Sequence, residues 1–180
     1  MDGLTNRIIA AVRTQSEMET ALKSRVEVIF DLCSNIISVG ENVERAHNAG
    51  KKLFVHIDLA DGIGKDKYGV VYLRNIGVDG IISTRVNLIK LAKENGLFTI
   101  QRFFVVDSHS IDTTLEGLKS SKADMIEIMP GVMTKVIKRL KAKIGTPIIA
   151  GGLIETGEEI AEIFKCGTFA VSTGKQEFWL

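Results

Sequence analysis

The sequence has little cysteine, little proline and no long apolar run. Its 180 residues include two cysteines, Cys33 and Cys166, and two prolines. The cysteines lie far apart without metal-ligand spacing, which argues against a disulfide framework and indicates free thiols in a reducing compartment. No run is long enough to span a bilayer, and Met1–Arg7 lacks the features of a secretory signal. We therefore expect a cytoplasmic protein without a membrane partner.

An excess of charge of one sign is also lacking. The chain has 23 Lys and Arg against 22 Asp and Glu, a net charge of +1, so charge alone gives no reason to expect nucleic-acid binding. Hydrophobic residues make up 45% and charged residues 25%, which is typical of globular proteins. No linker or low-complexity tract divides the chain. We predict a single domain over residues 1–180 with a sizeable core.

Short β-branched apolar runs alternate with segments of helical periodicity. Eight such runs, roughly twenty residues apart, predict tandem β/α units and a parallel sheet. Eight units favour an α/β fold, a small TIM-like (β/α)8 barrel, and an open doubly wound sheet is the alternative. The predicted strands are Arg7–Val12, Val26–Asp31, Lys52–Leu59, Asp79–Thr84, Leu97–Val105, Ala123–Met129, Thr146–Ala150 and Gly167–Ser172.

The last unit of the predicted barrel is shortened. Only seven residues follow Thr173, so a full eighth helix does not fit. The last strand must then be covered by the apolar tail Phe178–Leu180 or by another subunit, and we expect a homo-oligomer because such apolar surface is usually buried. Two helices are clearer: Gly131–Ile144 has one apolar and one basic face, and Thr156 begins a capping box. The basic face is typical of a solvated helix surface.

Small residues follow the last two predicted strands. The run that ends at Ala150 continues into Gly151 and Gly152, and the final run ends in Ser172 and Thr173. In parallel barrels the loops after the seventh and eighth strands commonly hold a phosphate, and glycine lets the backbone approach an anion closely. A tight strand-to-helix turn is the alternative for Gly-Gly. We predict phosphate binding by these four residues.

Three cations are candidates to support that phosphate. Lys65 belongs to the loop Asp61–Tyr68, which has two glycines and is predicted to close over the pocket. Arg85 follows a strand end, and Arg102 is a weaker third candidate. The glycine and lysine spacing of this loop does not match a nucleotide-binding P-loop.

Alternation along the strands predicts which side chains face the barrel lumen. Val26, Val28 and Phe30 are expected to face outward, whereas Phe54, Thr99, Phe103, Met125 and Met129 are expected to face inward. The resulting polar lumen would contain Glu27, Asp31, His56, Asp58, Gln101 and Glu127. Carboxylates, amides and imidazoles suit hydroxyl groups, so His56, Asp58, Gln101 and Glu127 are predicted to bind a polyol. Mutual satisfaction of these groups and a divalent metal are alternatives, but the histidines are few and no metal site or cofactor is expected.

Ten segments occur in an order that resembles the glycerol-3-phosphate-responsive antiterminator family. The resemblance covers about residues 50 to 179. The segments are His56-Ile57-Asp58-Leu59, Gly62-Ile63, Asp66-Lys67-Tyr68-Gly69, Asp79-Gly80-Ile81-Ile82-Ser83-Thr84-Arg85, Ile100-Gln101-Arg102, Asp107-Ser108, Ile126-Glu127, Pro130-Gly131-Val132-Met133, Ala150-Gly151-Gly152 and Val171-Ser172-Thr173.

The resemblance implies a small TIM-like barrel, glycerol 3-phosphate as effector, and binding of leader mRNA that carries transcription of a glycerol operon past a terminator. The effector agrees with the predicted polyol and phosphate groups, whereas the RNA partner rests on the resemblance alone. No residue is predicted to be catalytic. Two alternatives remain: an isomerase, epimerase or lyase acting on a small phosphorylated metabolite, and a barrel that keeps the pocket without the RNA partner.

Overall fold

Eight parallel strands close into a barrel in the computed structural model, which describes residues 7–107 and 109–180. Within those residues a helix follows each of the first seven strands. The strands are β1 (Ile8–Val12), β2 (Val28–Asp31), β3 (Lys52–His56), β4 (Gly80–Ser83), β5 (Phe98–Phe104), β6 (Met125–Met129), β7 (Ile148–Gly151) and β8 (Ala170–Thr173). The helices are α1 (Gln15–Lys23), α2 (Val39–Asn48), α3 (Lys67–Asn75), α4 (Val86–Glu94), α5 (His109–Ser121), α6 (Thr134–Lys141) and α7 (Gly157–Lys165).

The parallel pairing of β1 with β8 closes the sheet and confirms the barrel over the open doubly wound alternative. Each predicted strand overlaps one observed strand. The third strand ends at His56, three residues before its predicted end, and Ile57–Leu59 form a 3-10 helix. Asp58 therefore lies beyond the strand, at the carboxyl end of the barrel.

The core has two parts, separated by the sheet. An outer layer of aliphatic side chains joins strands to helices, and a smaller cluster fills the lumen. In the lumen the Phe30 and Phe54 rings pack 5.9 Å apart between centroids. Two residues further along several strands, the lumen side chains become polar. The apolar cluster thus forms the floor of a polar layer at the carboxyl end; its buried members are Ile9, Phe30, Phe54, Ile82, Ile100, Ile149 and Ala170.

The shortened eighth unit is covered by the chain's own tail. A 3-10 helix, Gln176–Phe178, follows β8 and places Trp179 in the outer core with none of its surface exposed. The indole Nε1 donates to the Thr173 carbonyl oxygen at 2.9 Å. The argument for a homo-oligomer from an uncovered strand therefore does not apply to Trp179, although Leu180 is 71% exposed. A homo-oligomer stays a prediction.

Both singled-out helices are present. α6 buries Val136, Ile137 and Leu140, and the Thr156 capping box begins α7. Among the described residues, no helix combines the length and the apolar character needed to cross a membrane.

Candidate functional site

A buried ion pair lies at the carboxyl end of the lumen. Arg102 of β5 donates from Nε to Glu127 Oε2 on the adjacent β6 at 2.5 Å. The Ser172 hydroxyl of β8 donates to the other carboxylate oxygen, Oε1, also at 2.5 Å. Glu127 has no exposed surface, and Arg102 and Ser172 are also buried. This network holds Arg102 and Ser172 at the base of an opening in the barrel mouth.

The turn after β7 lies against this network and has no room for side chains. A Cβ on Gly151 would meet the Ser172 hydroxyl and the Glu127 carboxylate, the latter at 2.6 Å. Gly152 has a φ of +77°, and a Cβ there would lie 2.6 Å from Met129 Cε. Glycine is therefore required here both for the backbone conformation and for close packing.

A cavity of about 280 Å³ opens beside the turn, at the small end of the roughly 300–1,000 Å³ typical of ligand pockets. Of the predicted phosphate residues, Gly152, Ser172 and Thr173 line it, and Gly151 does not line it but packs against Ser172 and Glu127, which do. Arg102, the weaker candidate, also lines it together with Glu127.

Two further cations line the same cavity, Arg13 and Lys175. Arg13 follows β1 and Lys175 follows β8, and these strands are neighbours across the barrel closure. The Arg13 guanidinium packs against Gly174, where a Cβ would lie 2.7 Å from Nη1. Sequence reasoning missed both, although each lies within two residues of a strand's carboxyl end, where barrels place ligand contacts. Three cations around small residues suit a phosphate group.

A second polar cluster lies across the mouth, around Asp58. This carboxylate accepts hydrogen bonds from the Ser83 hydroxyl at 2.8 Å, the Thr84 amide at 2.7 Å and the Thr84 hydroxyl at 2.9 Å. Burial acts to raise the pKa of Asp58, but these hydrogen bonds together outweigh it and hold the pKa below its usual value. Asp58 is thus a fixed anion that ties the β3 end to the β4–α4 loop.

His56 faces the lumen beside Asp58 and is 3% exposed. Its Nδ1 has no hydrogen-bond partner and lies 4.0 Å from Asp58 Oδ2. Burial, assisted by the charge of Arg102, lowers the pKa of His56 to about 4, against the opposing effect of Asp58. The imidazole is therefore neutral at pH 7, and its Nδ1 is a buried acceptor without a hydrogen-bond partner.

The remaining predicted phosphate cations lie in the Asp58 cluster or beside it, and neither lines the cavity. Arg85 Nε is 3.8 Å from Asp58 Oδ1, and the Arg85 side chain is 54% exposed. Lys65 Nζ donates within its own loop, to the carbonyl oxygens of Ala60 and Ile63. Burial lowers the pKa of Lys65, whereas the charges of Asp58 and Asp61 act to raise it. The structure does not bring these two cations to the Gly151–Gly152 turn.

Several orientations predicted for β2 and β5 are wrong. Gln101 faces α5 rather than the lumen, because its Oε1 accepts from the Ser121 hydroxyl. Asp31 faces α2 and accepts from Asn42 at 3.5 Å, and Glu27 is exposed before β2. Two other residues predicted to face the lumen do not: the Thr99 hydroxyl donates a hydrogen bond to Asp124, and Phe103 packs in the outer core. Conversely, Val28 and Phe30, which were predicted to face outward, belong to the lumen cluster.

In both strands, the side chains therefore face the opposite side of the sheet from the one predicted. Of the predicted polyol residues, His56, Asp58 and Glu127 remain at the mouth and Gln101 does not. Across residues 7–107 and 109–180, no three His, Cys, Asp or Glu side chains are grouped so that they could share a metal ion.

Comparison with known proteins identifies the family of this barrel. The family model described as "Glycerol-3-phosphate responsive antiterminator" matches residues 8–179. The chain belongs to this family. The match begins well before residue 50, so the family pattern extends through β1 and β2, including the strand that leads to Arg13.

Two solved structures resemble this chain closely along its whole length. The glycerol uptake operon antiterminator regulatory protein of Listeria monocytogenes str. 4b F2365 has 32% identity and a TM-score of 0.90, covering 99% of this chain and 97% of its own. A glycerol uptake operon antiterminator-related protein of Thermotoga maritima MSB8 has 31% identity and a TM-score of 0.85, covering 96% of both chains.

A curated relative, YgcP of Escherichia coli K12, is 36% identical over 175 residues, or 97% of this chain and 92% of its own. Barrel enzymes that match with 14–17% identity share the fold alone.

Proposed function

We propose that this antiterminator-family barrel binds glycerol 3-phosphate at its carboxyl-end mouth and, in response, binds leader mRNA in the cytoplasm. The observation that carries the effector proposal is the cavity beside the Gly151–Gly152 turn. There Arg13, Arg102 and Lys175 surround small residues, and an unpartnered imidazole lies across the mouth. The cavity's small volume and its cationic lining favour a compact phosphate ester over a nucleotide.

The phosphate is assigned to the cavity side of the mouth. The Gly152 and Thr173 regions supply backbone groups, Ser172 supplies a hydroxyl, and Arg13, Lys175 and Arg102 supply positive charge. Because Arg102 is paired with Glu127, that pair is neutral overall, and the net positive charge of the cavity comes from Arg13 and Lys175. Lys65 and Arg85 reach a phosphate only if their loops close over the mouth.

The glycerol hydroxyls are assigned to the opposite side. His56 Nδ1 accepts a hydrogen bond from one hydroxyl there, and Asp58 has carboxylate lone pairs for another. Glu127, which lines the cavity itself, accepts from a hydroxyl nearer the phosphate. Because a neutral imidazole accepts without adding charge, His56 distinguishes a hydroxyl from a second anionic group. This division predicts that the phosphate contributes most of the affinity and the hydroxyls contribute selectivity.

Calorimetric titration and thermal melting test the effector proposal. Millimolar glycerol 3-phosphate should release heat and raise the melting temperature, because a ligand that binds only the folded state stabilises it. Inorganic phosphate should do so weakly and glycerol hardly at all. No heat and no melting shift with glycerol 3-phosphate would remove the effector from the proposal.

An enzyme acting on a small phosphorylated metabolite is the second candidate. It is favoured by one observation, the neutral and unpartnered His56 beside the ionised Asp58, which is an arrangement suited to moving a proton. We propose a regulator rather than an enzyme because the carboxylate deepest in the site, Glu127, is held by both Arg102 and Ser172. Phosphorus NMR of glycerol 3-phosphate with the protein separates the two, since only an enzyme yields a new resonance.

A further inference from the structure

The most concentrated charge on this protein lies on α6 and the turn after it. Five cations, Lys135, Lys138, Arg139, Lys141 and Lys143, occur within nine residues. No acidic residue lies between Glu127 and Glu155, although the chain as a whole has a net charge of only +1. All five cations are exposed, while Val136, Ile137 and Leu140 anchor the helix to the barrel.

The protein itself does not neutralise this cationic face. None of the five cations forms an ion pair with another residue in the described part of the chain. Glu162 of α7 is close enough for Lys138 to affect it, but its ion pair is with Lys165. Like charges three and four residues apart, such as Lys135, Lys138 and Arg139, repel one another along a helix. A bound polyanion would remove that cost.

The chemistry of the face fits a phosphodiester backbone. Its contacts would be point charges, since the exposed residues of α6 include no aromatic side chain on which a base could stack. Such a surface binds phosphates largely without regard to base sequence and positions the nucleic acid on the protein. Within the proposed function, the partner with this chemistry is RNA.

The loop before α6 is bonded directly to the proposed phosphate turn. The Gly131 amide donates to the Gly151 carbonyl at 2.6 Å and to the Gly152 carbonyl at 3.1 Å. A Cβ on Gly131 would lie 2.7 Å from the Gly151 amide nitrogen, so the two loops are in close backbone contact. A ligand that fixes the turn after β7 therefore also fixes the residues that begin α6.

We propose that the exposed face of α6 is the RNA-binding surface, that it contacts the RNA phosphates, and that Gly131 connects it to the effector turn. This inference rests on the proposed function, because it assigns the RNA partner to a place on the barrel. On this surface the effector does not touch the RNA, as it would if the RNA bound at the barrel mouth.

The test compares two charge-matched double variants of the full chain. K135Q/R139Q removes two cations from α6, and K23Q/K90Q removes two exposed lysines from α1 and α4. The probe is a G·C-rich RNA hairpin with a uridine tail, titrated between low and high KCl with 1 mM glycerol 3-phosphate present. Each phosphate contact contributes about 0.7 to the slope of log affinity against log salt, so two contacts amount to about 25-fold between 1 M and 0.1 M salt.

We expect K135Q/R139Q to weaken RNA binding about 25-fold at 0.1 M salt, with a shallower salt slope and an unchanged glycerol 3-phosphate melting shift. K23Q/K90Q should bind RNA like the wild type. If the wild type binds RNA and both variants bind equally well, the α6 surface is wrong although the proposed function stands. If the wild type binds no RNA, the proposed function itself fails. Binding of wild type, but not K135Q/R139Q, to anionic phospholipid vesicles, with equal RNA binding, would assign α6 to a membrane surface and overturn the inference.

Discussion

Removal of Arg102 should leave the buried carboxylate of Glu127 without a counter-charge and so destabilise the fold. The Arg102–Glu127 pair is almost fully buried, with side-chain exposures of 6% and 0%. Arg102→Met removes the positive charge but keeps a long side chain, and it leaves the Glu127 carboxylate in the lumen with only the Ser172 hydroxyl as a partner. An uncompensated buried charge of this kind costs about 3–5 kcal/mol of unfolding free energy.

The loss is measurable by urea denaturation and by melting without ligand. For a chain of this size each kcal/mol corresponds to about 2–4 °C, so the melting temperature should fall by roughly 6–20 °C. Adding Glu127→Gln should recover more than half, since it removes the charge and keeps an acceptor for Ser172.

The control is an ion pair of similar geometry that is exposed to solvent. Lys93 pairs with Asp124, and the two side chains are 41% and 30% exposed. Lys93→Ala should cost only about 0–1 kcal/mol. A loss in Arg102→Met no larger than in Lys93→Ala would refute the view that this network is the buried electrostatic centre of the barrel, as would a double variant less stable than Arg102→Met.

Three further predictions concern the turn, the imidazole and the tail. Gly152→Val should displace the turn after β7 and abolish glycerol 3-phosphate binding in calorimetry, because valine at φ +77° is strained and its Cβ meets Met129. Circular dichroism should still show a folded barrel, and unchanged affinity would mean that the phosphate is held elsewhere. The pKa of His56, about 4, lies below its value in the unfolded chain, so the unfolded chain binds the proton first as the pH falls. The unfolding free energy should therefore fall by up to about 3 kcal/mol between pH 6.5 and 4, and less steeply in His56→Asn. A pKa near 6.5 measured for His56 by NMR would contradict this. Trp179→Ala should cost about 3–5 kcal/mol in urea unfolding, since the indole is fully buried, and a smaller loss would mean that the tail is not part of the core.

The fold could be predicted from sequence because eight apolar runs recur at a regular spacing and one chain of this length has few ways to pair them. The glycines at the carboxyl end of β7 and the serine near the end of β8 could be placed at one end of the barrel for the same reason. Trp179 could be seen as a candidate cover for the last strand, but only the structure shows the indole bonded to the Thr173 carbonyl.

The orientation of β2 and β5 could not be predicted, because strands of a parallel barrel are buried on both faces and show no clear alternation. In β2, Val28, Ile29 and Phe30 are all apolar, so the sequence pattern allows either face. In β5, the polarity of Gln101 favours a lumen position, but a polar residue can also be satisfied under a helix, here by Ser121. Arg102 occupies the lumen position because only there does it meet a buried carboxylate, Glu127.

The cations of the proposed phosphate site were missed for a related reason. Lys65 and Arg85 stand out in sequence beside glycines and a strand end, yet the first bonds its own loop and the second lies near Asp58. Arg13 and Lys175 follow strands that meet only when the barrel closes, so their proximity depends on the β1–β8 pairing. Neither one has a local motif.

The central claim is that glycerol 3-phosphate controls the RNA affinity of this barrel, and a gel-shift titration with and without the effector tests it most directly. The RNA is the terminator-type hairpin with a uridine tail, at a fixed 0.1 M salt. A ligand that couples two sites typically changes affinity by about 5–150-fold, so glycerol 3-phosphate should tighten RNA binding at least about fivefold, whereas equal concentrations of phosphate or glycerol should not. RNA affinity that is identical with and without glycerol 3-phosphate, in a protein that calorimetry shows to bind it, would contradict the account.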